Sequence, residues 1–175
     1  MCRRYPIPTQ WLMTDERMGD RLWDALERLP RGGGVVFRHY ALDPTERAAL
    51  LDRVATVAAR RGLILLGAGG LAGPDGVHNG VRRGHGLLSR SAHSRGEVIA
   101  AVRAGADLVF VSPVYPTRSH PGAPVLGRAG LRMIVRGLPV PVIALGGMTP
   151  ARFRRLRSLG IYGWAGIASW TRDQS

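Results

Sequence analysis

The residues best suited to chemistry in this chain sit in short polar turns that follow apolar runs. The densest is Ser112-Pro113-Val114-Tyr115-Pro116-Thr117-Arg118-Ser119-His120, directly after Leu108-Val109-Phe110-Val111. Hydroxyls with Arg118 and His120 make a donor-rich set that suits an anion. The prolines at 113 and 116 exclude helix, so these side chains stand on a loop just past a strand's carboxyl end. In parallel α/β folds that end binds ligands. The plain alternative is a surface loop whose Ser and Thr only cap turns. A second candidate is Gly146-Gly147, where an apolar run meets a helical segment and missing Cβ atoms let the backbone approach a phosphate. Its plain alternative is a packing turn.

These turns need elements to hold them. Trp11 to Asp15 reads as a first strand, and Asp20 to Leu29 as a helix with Leu22, Trp23, Leu26 and Leu29 on one face. Val35 to Arg38 is a second strand. Asp43-Pro44-Thr45-Glu46 opens a helix that runs to Arg61 and stops at Gly62. Leu63 to Leu66 is a third strand. From Gly67 to Gly86 the pattern frays, leaving Gly76-Val77-His78 and Leu87-Leu88-Ser89 as brief fourth and fifth strands. Regularity returns with a helix over Glu97 to Ala104, a strand over Leu108 to Val111 and a helix over Gly127 to Arg136. Then come a strand at Val142 to Leu145, a helix over Pro150 to Leu159 and a last strand at Gly163 to Ile167.

Alternating strands and helices mean a parallel sheet. Eight strands predict an α/β fold of the (β/α)8 TIM-barrel type, a single domain over residues 1–175. Such barrels usually take about 250 residues, so this one is trimmed at its frayed middle and its missing last helix. An open doubly wound sheet is the other reading, but no GxGxxG follows the first strand.

Composition narrows the function classes. The chain has one cysteine, Cys2, which excludes a disulfide framework and a thiolate cluster. No apolar run approaches a membrane span and no signal-peptide pattern opens the chain, so a cytoplasmic protein is expected. The net charge is +13, and all 25 basic residues are arginine. Arginine in place of lysine accounts for residue type but not for the excess of charge, so an anionic ligand is expected. The arginines lie scattered through helix-like segments and aromatics are only 6%, which makes a nucleic-acid binder the weaker reading.

Taken together, several segments resemble the thiamine phosphate synthase and thiazole tautomerase family. Asp75-Gly76-Val77-His78 is similar to its D-G-V-H-L-G, and Ser91-Ala92-His93-Ser94 with Glu97 and Gly105-Ala106-Asp107 to its S-x-H-(S/T)…E…GAD. Ser112 to Thr117 is similar to G-P-V-F-P-T, with Leu126-Gly127 matching the LG beyond it. Pro141 to Met148 is similar to P-V-x-A-I-G-G-I, and Leu12-Met13-Thr14-Asp15 to an opening L-V-T-D. The resemblance implies a (β/α)8 barrel that joins a pyrimidine pyrophosphate to a thiazole phosphate, with magnesium and cationic groups stabilising the departing pyrophosphate. It implies Arg38, Ser91 and His120 as catalytic residues, Thr117, Arg118 and Ser119 near the pyrophosphate, and Gly146, Gly147, Gly166 and Ala168 around the thiazole phosphate. His93 reads as a structural histidine at a strand end. A homo-oligomer is compatible with this reading.

The departures fall on one half of the implied site. Val36 and Tyr40 replace the glutamine and lysine of the family's Q-x-R-x-K strand, and His120 replaces a lysine. Leu66-Gly67-Ala68-Gly69 stands where N-D-R supplies one magnesium carboxylate, and Asn79 to Arg82 where Q-x-D supplies the other. No metal ligand is therefore expected, although the family uses magnesium. Three functions follow: a divergent synthase using Arg38, Arg82, Arg118 and His120 in place of the metal; a tautomerase-like enzyme with His120 or His93 as base; or an inactive phosphate-binding barrel.

Overall fold

The computed structural model describes residues 6–82, 84–117, 122 and 124–171. Among them, eight parallel strands close into a barrel in sequence order: β1 (Gln10–Met13), β2 (Gly34–Phe37), β3 (Ile64–Ala68), β4 (Gly76–His78), β5 (Leu87–Ala92), β6 (Leu108–Val111), β7 (Val142–Ala144) and β8 (Gly163–Gly166). Closure is made by β1 pairing with β8, Trp11 opposite Ala165. Outside pack the helices α1 (Arg21–Arg28), α2 (Pro44–Arg61), α3 (Arg95–Arg103), α4 (Gly127–Val135) and α5 (Pro150–Leu156).

The strand period of two sorts the side chains into two cores. Trp11, Met13, Val36, Leu66, Phe110, Ile143 and Ala165 fill the barrel interior. Their neighbours Leu12, Val35, Leu65 and Val109 face outward against Leu22, Leu26, Val54, Val98 and Ile134 of the helices. The Trp11 indole meets Phe110 edge to face at 5.3 Å. A Cβ on Gly34 would lie 2.3 Å from that indole, so the strand beside it needs glycine.

The trimming falls after β3 and β4, where no helix of the α type follows among the described residues. Between β4 and β5 the chain is pinned by Arg82, which donates to Gly86 O at 2.9 Å, Gly105 O at 2.6 Å and Asp107 Oδ2 at 2.7 Å. After β8 comes a 3-10 turn, Ala168–Trp170. Trp170 stacks on Trp164 at 4.9 Å and donates its indole N–H to Trp11 O at 3.0 Å.

Several boundaries move from the sequence reading. The first and last strands end earlier, at Met13 and Gly166, and the helix from Pro150 tightens to 3-10 at Arg157–Leu159. The largest change is β5, which runs on to Ala92 and pairs Ser91 with Phe110. Ser91 is therefore a strand residue held in register by the sheet. The α2 boundaries agree with the expected signals: Asp43 caps Thr45 N–H, Pro44 begins the first turn, and Gly62 closes the helix in the left-handed region.

Candidate functional site

The loops after the strands meet at the barrel's C-terminal mouth, where two differently built halves face each other. Gly146 and Gly147 follow β7 with φ of 92° and 58°, a conformation natural only to glycine. The space their missing Cβ atoms leave is taken by the β6 loop. A Cβ on Gly146 would lie 2.8 Å from Pro113 Cα, and one on Gly147 2.5 Å from Pro116 O. The glycines therefore serve first to let the loop after β6 pack against the β7 turn. Val114 N–H donates to Leu145 O at 2.9 Å and Tyr115 N–H to Gly146 O at 3.1 Å.

That packing leaves amides at the mouth. Among the described residues no acceptor meets the N–H groups of Gly147, Met148, Ala168 or Ser169. Ser169 Oγ donates to Met148 O at 2.5 Å, which ties the turn after β8 to the turn after β7. Gly166 ends β8 beneath this tie, and a Cβ there would lie 3.1 Å from Ser169 Oγ. Ala168 and Ser169 are exposed. Unpaired backbone donors on two adjoining turns can hold a phosphate, as loops after the seventh and eighth strands often do in such barrels. Arg152, over the Tyr115 ring at 4.7 Å, donates to Gly147 O and braces the β7 turn.

The other half is built from side chains. Arg38 follows β2 and donates from Nε to Thr14 O at 3.0 Å, with its Nη2 3.9 Å from Asp15 Oδ2. Asp15 is held more tightly by Arg17, whose Nε and Nη2 donate to its two oxygens at 2.6 and 2.7 Å. Those hydrogen bonds lower the Asp15 pKa to about 2, so it is a carboxylate at neutral pH. Burial lowers the pKa of Arg38 from its ordinary value, yet a guanidinium stays charged.

A polar cluster that the sequence reading missed lies beneath Ser91. His78, buried at the end of β4, meets Ser89 Oγ with Nδ1 at 2.9 Å and Ser91 Oγ with Nε2 at 3.1 Å. Burial pushes its pKa down to about 3, so the ring is neutral, with one donor and one acceptor nitrogen. Asn79, in the left-handed region at φ 51°, accepts the Ser91 N–H at 2.8 Å and brings its Nδ2 to 3.4 Å from Ser91 Oγ. The Ser91 hydroxyl is thus positioned from below by His78 and from the side by Asn79. The His in D-G-V-H and an Asn suited to positive φ were the legible signals.

Other expected residues fall elsewhere. Arg82 and Asp107 lie at the opposite, N-terminal end of the barrel, so Arg82 cannot stand in for a metal at the mouth. Asp75 is there too, accepting Leu65 N–H at 2.8 Å, and offers no carboxylate to the mouth. His93 is exposed and tied to Glu97, Nδ1 to Oε2 at 3.1 Å, as a structural histidine would be. Thr117 ends the described part of the β6 loop; Arg118, Ser119 and His120 lie outside the described residues.

The residues present do not fit magnesium. Among the described residues no three His, Cys, Asp or Glu side chains come together. At the end of β3, where the family's carboxylate would stand, Arg47 of α2 donates to Ala68 O at 2.5 Å and Gly69 O at 3.0 Å. Those hard oxygen donors already hold a cation, which repels a second one.

The molecule is a (β/α)8 barrel whose C-terminal mouth carries on one side backbone donors that meet no acceptor among the described residues, and on the other fixed hydroxyl and guanidinium groups. The thiamine monophosphate synthase family model matches residues 71–169. A thiamine-phosphate synthase of Salinispora arenicola is 35% identical over 180 aligned positions, covering 90% of this chain and 86% of the relative. One of Salinispora tropica is 33% identical with the same coverage. A solved thiamine phosphate pyrophosphorylase from Pyrococcus furiosus shares the fold, with a TM-score of 0.75 at 24% identity, covering 91% of this chain and 85% of that one. This chain belongs to the thiamine monophosphate synthase family. No helix among its described residues is long and apolar enough to cross a membrane.

Proposed function

We propose that this protein is a divergent thiamine phosphate synthase that couples a pyrimidine pyrophosphate to a thiazole phosphate without a magnesium site of the family's kind. The reading is carried by one observation: the family's barrel is kept together with free amides on the turns after β7 and β8. In this reading Gly147, Met148, Ala168 and Ser169 hold the thiazole phosphate through backbone N–H groups. Gly146 and Gly166 shape the two turns. Arg38, Ser91 and Thr117 face the pyrophosphate.

The chemistry asks little of the protein beyond charge and position. The bond from the pyrimidine methylene carbon to pyrophosphate oxygen breaks, and its electron pair leaves with the pyrophosphate. The thiazole nitrogen lone pair then forms the new carbon–nitrogen bond, and no side chain need act as nucleophile. Arg38 stabilises the charge gathering on the leaving group, and the neutral His78 keeps the Ser91 hydroxyl aimed.

A second reading has a specific observation behind it. The family's two metal carboxylates are absent from the sequence and the Arg47 guanidinium sits at the end of β3, which supports reading the barrel as binding the thiazole phosphate alone. Calorimetry with each substrate, with and without magnesium, followed by an assay for thiamine phosphate, separates the two. The synthase reading expects both ligands to bind and coupling to occur without added metal. Binding of the thiazole phosphate with no coupling would leave the second reading. Ala168→Asp, which sets a carboxylate beside the amides, should weaken the thiazole phosphate by about a hundredfold, while Ala168→Asn should not. Equal affinity for both variants would mean that the phosphate is held elsewhere.

A further inference from the structure

The charge of this chain is unevenly distributed. Between Asp107 and Asp173 there is no acidic residue, while residues 108–175 contain nine arginines. That last stretch carries eight of the 13 excess positive charges. A single small anion at the mouth needs few of them.

Three of them converge on one groove. Arg128, Arg132 and Arg136 repeat every fourth residue along α4 and its C-terminal end, a spacing of about 6 Å on one helix face. With Met133, Ser158 and Leu159 they line a concavity of about 490 Å³ between α4 and the 3-10 turn after α5. Met133 is 71% exposed on its rim. Arg128 is anchored by Arg155 O at 2.6 Å and Ser158 Oγ at 3.2 Å. Among the described residues none of the three arginines has an acidic partner.

This arrangement works against the helix that carries it. Like charges four residues apart destabilise a helix, and Arg128 in the first turn opposes the helix dipole, whereas Arg132 in the last turn and Arg136 at the C-cap favour it. No acid in that first turn compensates. A row of like charges with no acidic partner among the described residues is a local rule broken, as expected where a surface serves a ligand.

We propose that the α4–α5 groove docks an acidic segment of a partner protein, with carboxylates on the arginine row and an apolar side chain against Met133 and Leu159. Carboxylates take guanidinium in paired hydrogen bonds. The groove has no aromatic side chain on which bases could stack, which disfavours single-stranded nucleic acid. A second copy of this chain also carries exposed carboxylates, Asp20, Asp24, Glu46 and Asp52 among them, so self-association through this groove would count against the proposal. The proposal does not depend on the reaction at the mouth.

The test uses the whole chain and a fluorescein-labelled peptide of repeated Glu-Glu-Leu, with Glu-Glu-Ser, oligo-dT and phosphatidylserine vesicles as competitors. Fluorescence anisotropy is read at about 0.15 M salt. Arg132→Glu with Arg136→Glu should weaken the Glu-Glu-Leu peptide by about tenfold or more. Arg132→Gln with Arg136→Gln removes the charge without reversing it, and should shift binding in the same direction by a smaller factor. Circular dichroism confirms that both double variants keep their helix content. Met133→Ser should weaken Glu-Glu-Leu while leaving Glu-Glu-Ser unchanged. Unaltered peptide binding in both double variants would overturn the proposal. So would displacement of the peptide by oligo-dT or by vesicles at lower charge concentration than by free peptide.

Discussion

The two halves of the barrel mouth are built from different materials. The turns after β7 and β8 present main-chain N–H groups, while the ends of β1 to β5 present side chains: Asp15 in the grip of Arg17, Arg38 on Thr14, and Ser91 on His78. A backbone donor survives any substitution that keeps the turn, whereas a side-chain donor is lost with one residue. The family's features accordingly persist at Gly146-Gly147 and fail at Ala68 and Tyr40.

The strongest way to break the backbone half is Gly147→Ala. A Cβ there meets Pro116 O at 2.5 Å in a conformation with φ of 58°. The substitution should therefore cost about 3 kcal/mol. Urea denaturation measures it, and a loss below about 1 kcal/mol would show that the β6 loop yields easily.

The side-chain half is tested through acid. His78 stays neutral in the fold down to about pH 3, whereas in the unfolded chain it takes up a proton below about 6.5. The unfolded state therefore gains protons first, and stability is full above about pH 6.5 and falls as pH drops. Between about pH 7.5 and pH 5 the loss should be about 2 kcal/mol. His78→Asn should flatten that profile; an equally steep one would place the acid sensitivity elsewhere, with His39, whose pKa burial also lowers, next in line.

The smallest expected effect belongs to Arg17→Ala. Its partner Asp15 is largely covered, but Arg17 itself is 64% exposed, so solvent screens the pair. Stability should change by less than about 1 kcal/mol. A larger loss would mean that the Asp15 carboxylate cannot turn to Arg38 when released.

Much of this was legible in the residues. The apolar runs at Leu12, Val35, Leu65, Val109 and Ile143 are strands because both faces are buried, and burial on both faces is written as unbroken hydrophobicity. The Asp43-Pro44 start and Gly62 stop of α2 were equally plain, since caps act within a few residues. The thin stretch from Gly67 to Gly86 correctly marked where helices are missing.

Periodicity was thus enough for the barrel and its thin middle, and the resemblance of its motifs for its family. Which end of the barrel each charge occupies was not written there, and it emerges only when the sheet closes. Asp75, Arg82 and Asp107 carry the types a site would need, yet they close the bottom, because strands this short turn within a few residues from one end to the other. Arg47 reached the end of β3 from another element, 21 residues away in the chain. Charge and hydrogen-bonding type are properties of a residue, but position at a mouth is a property of the closed sheet.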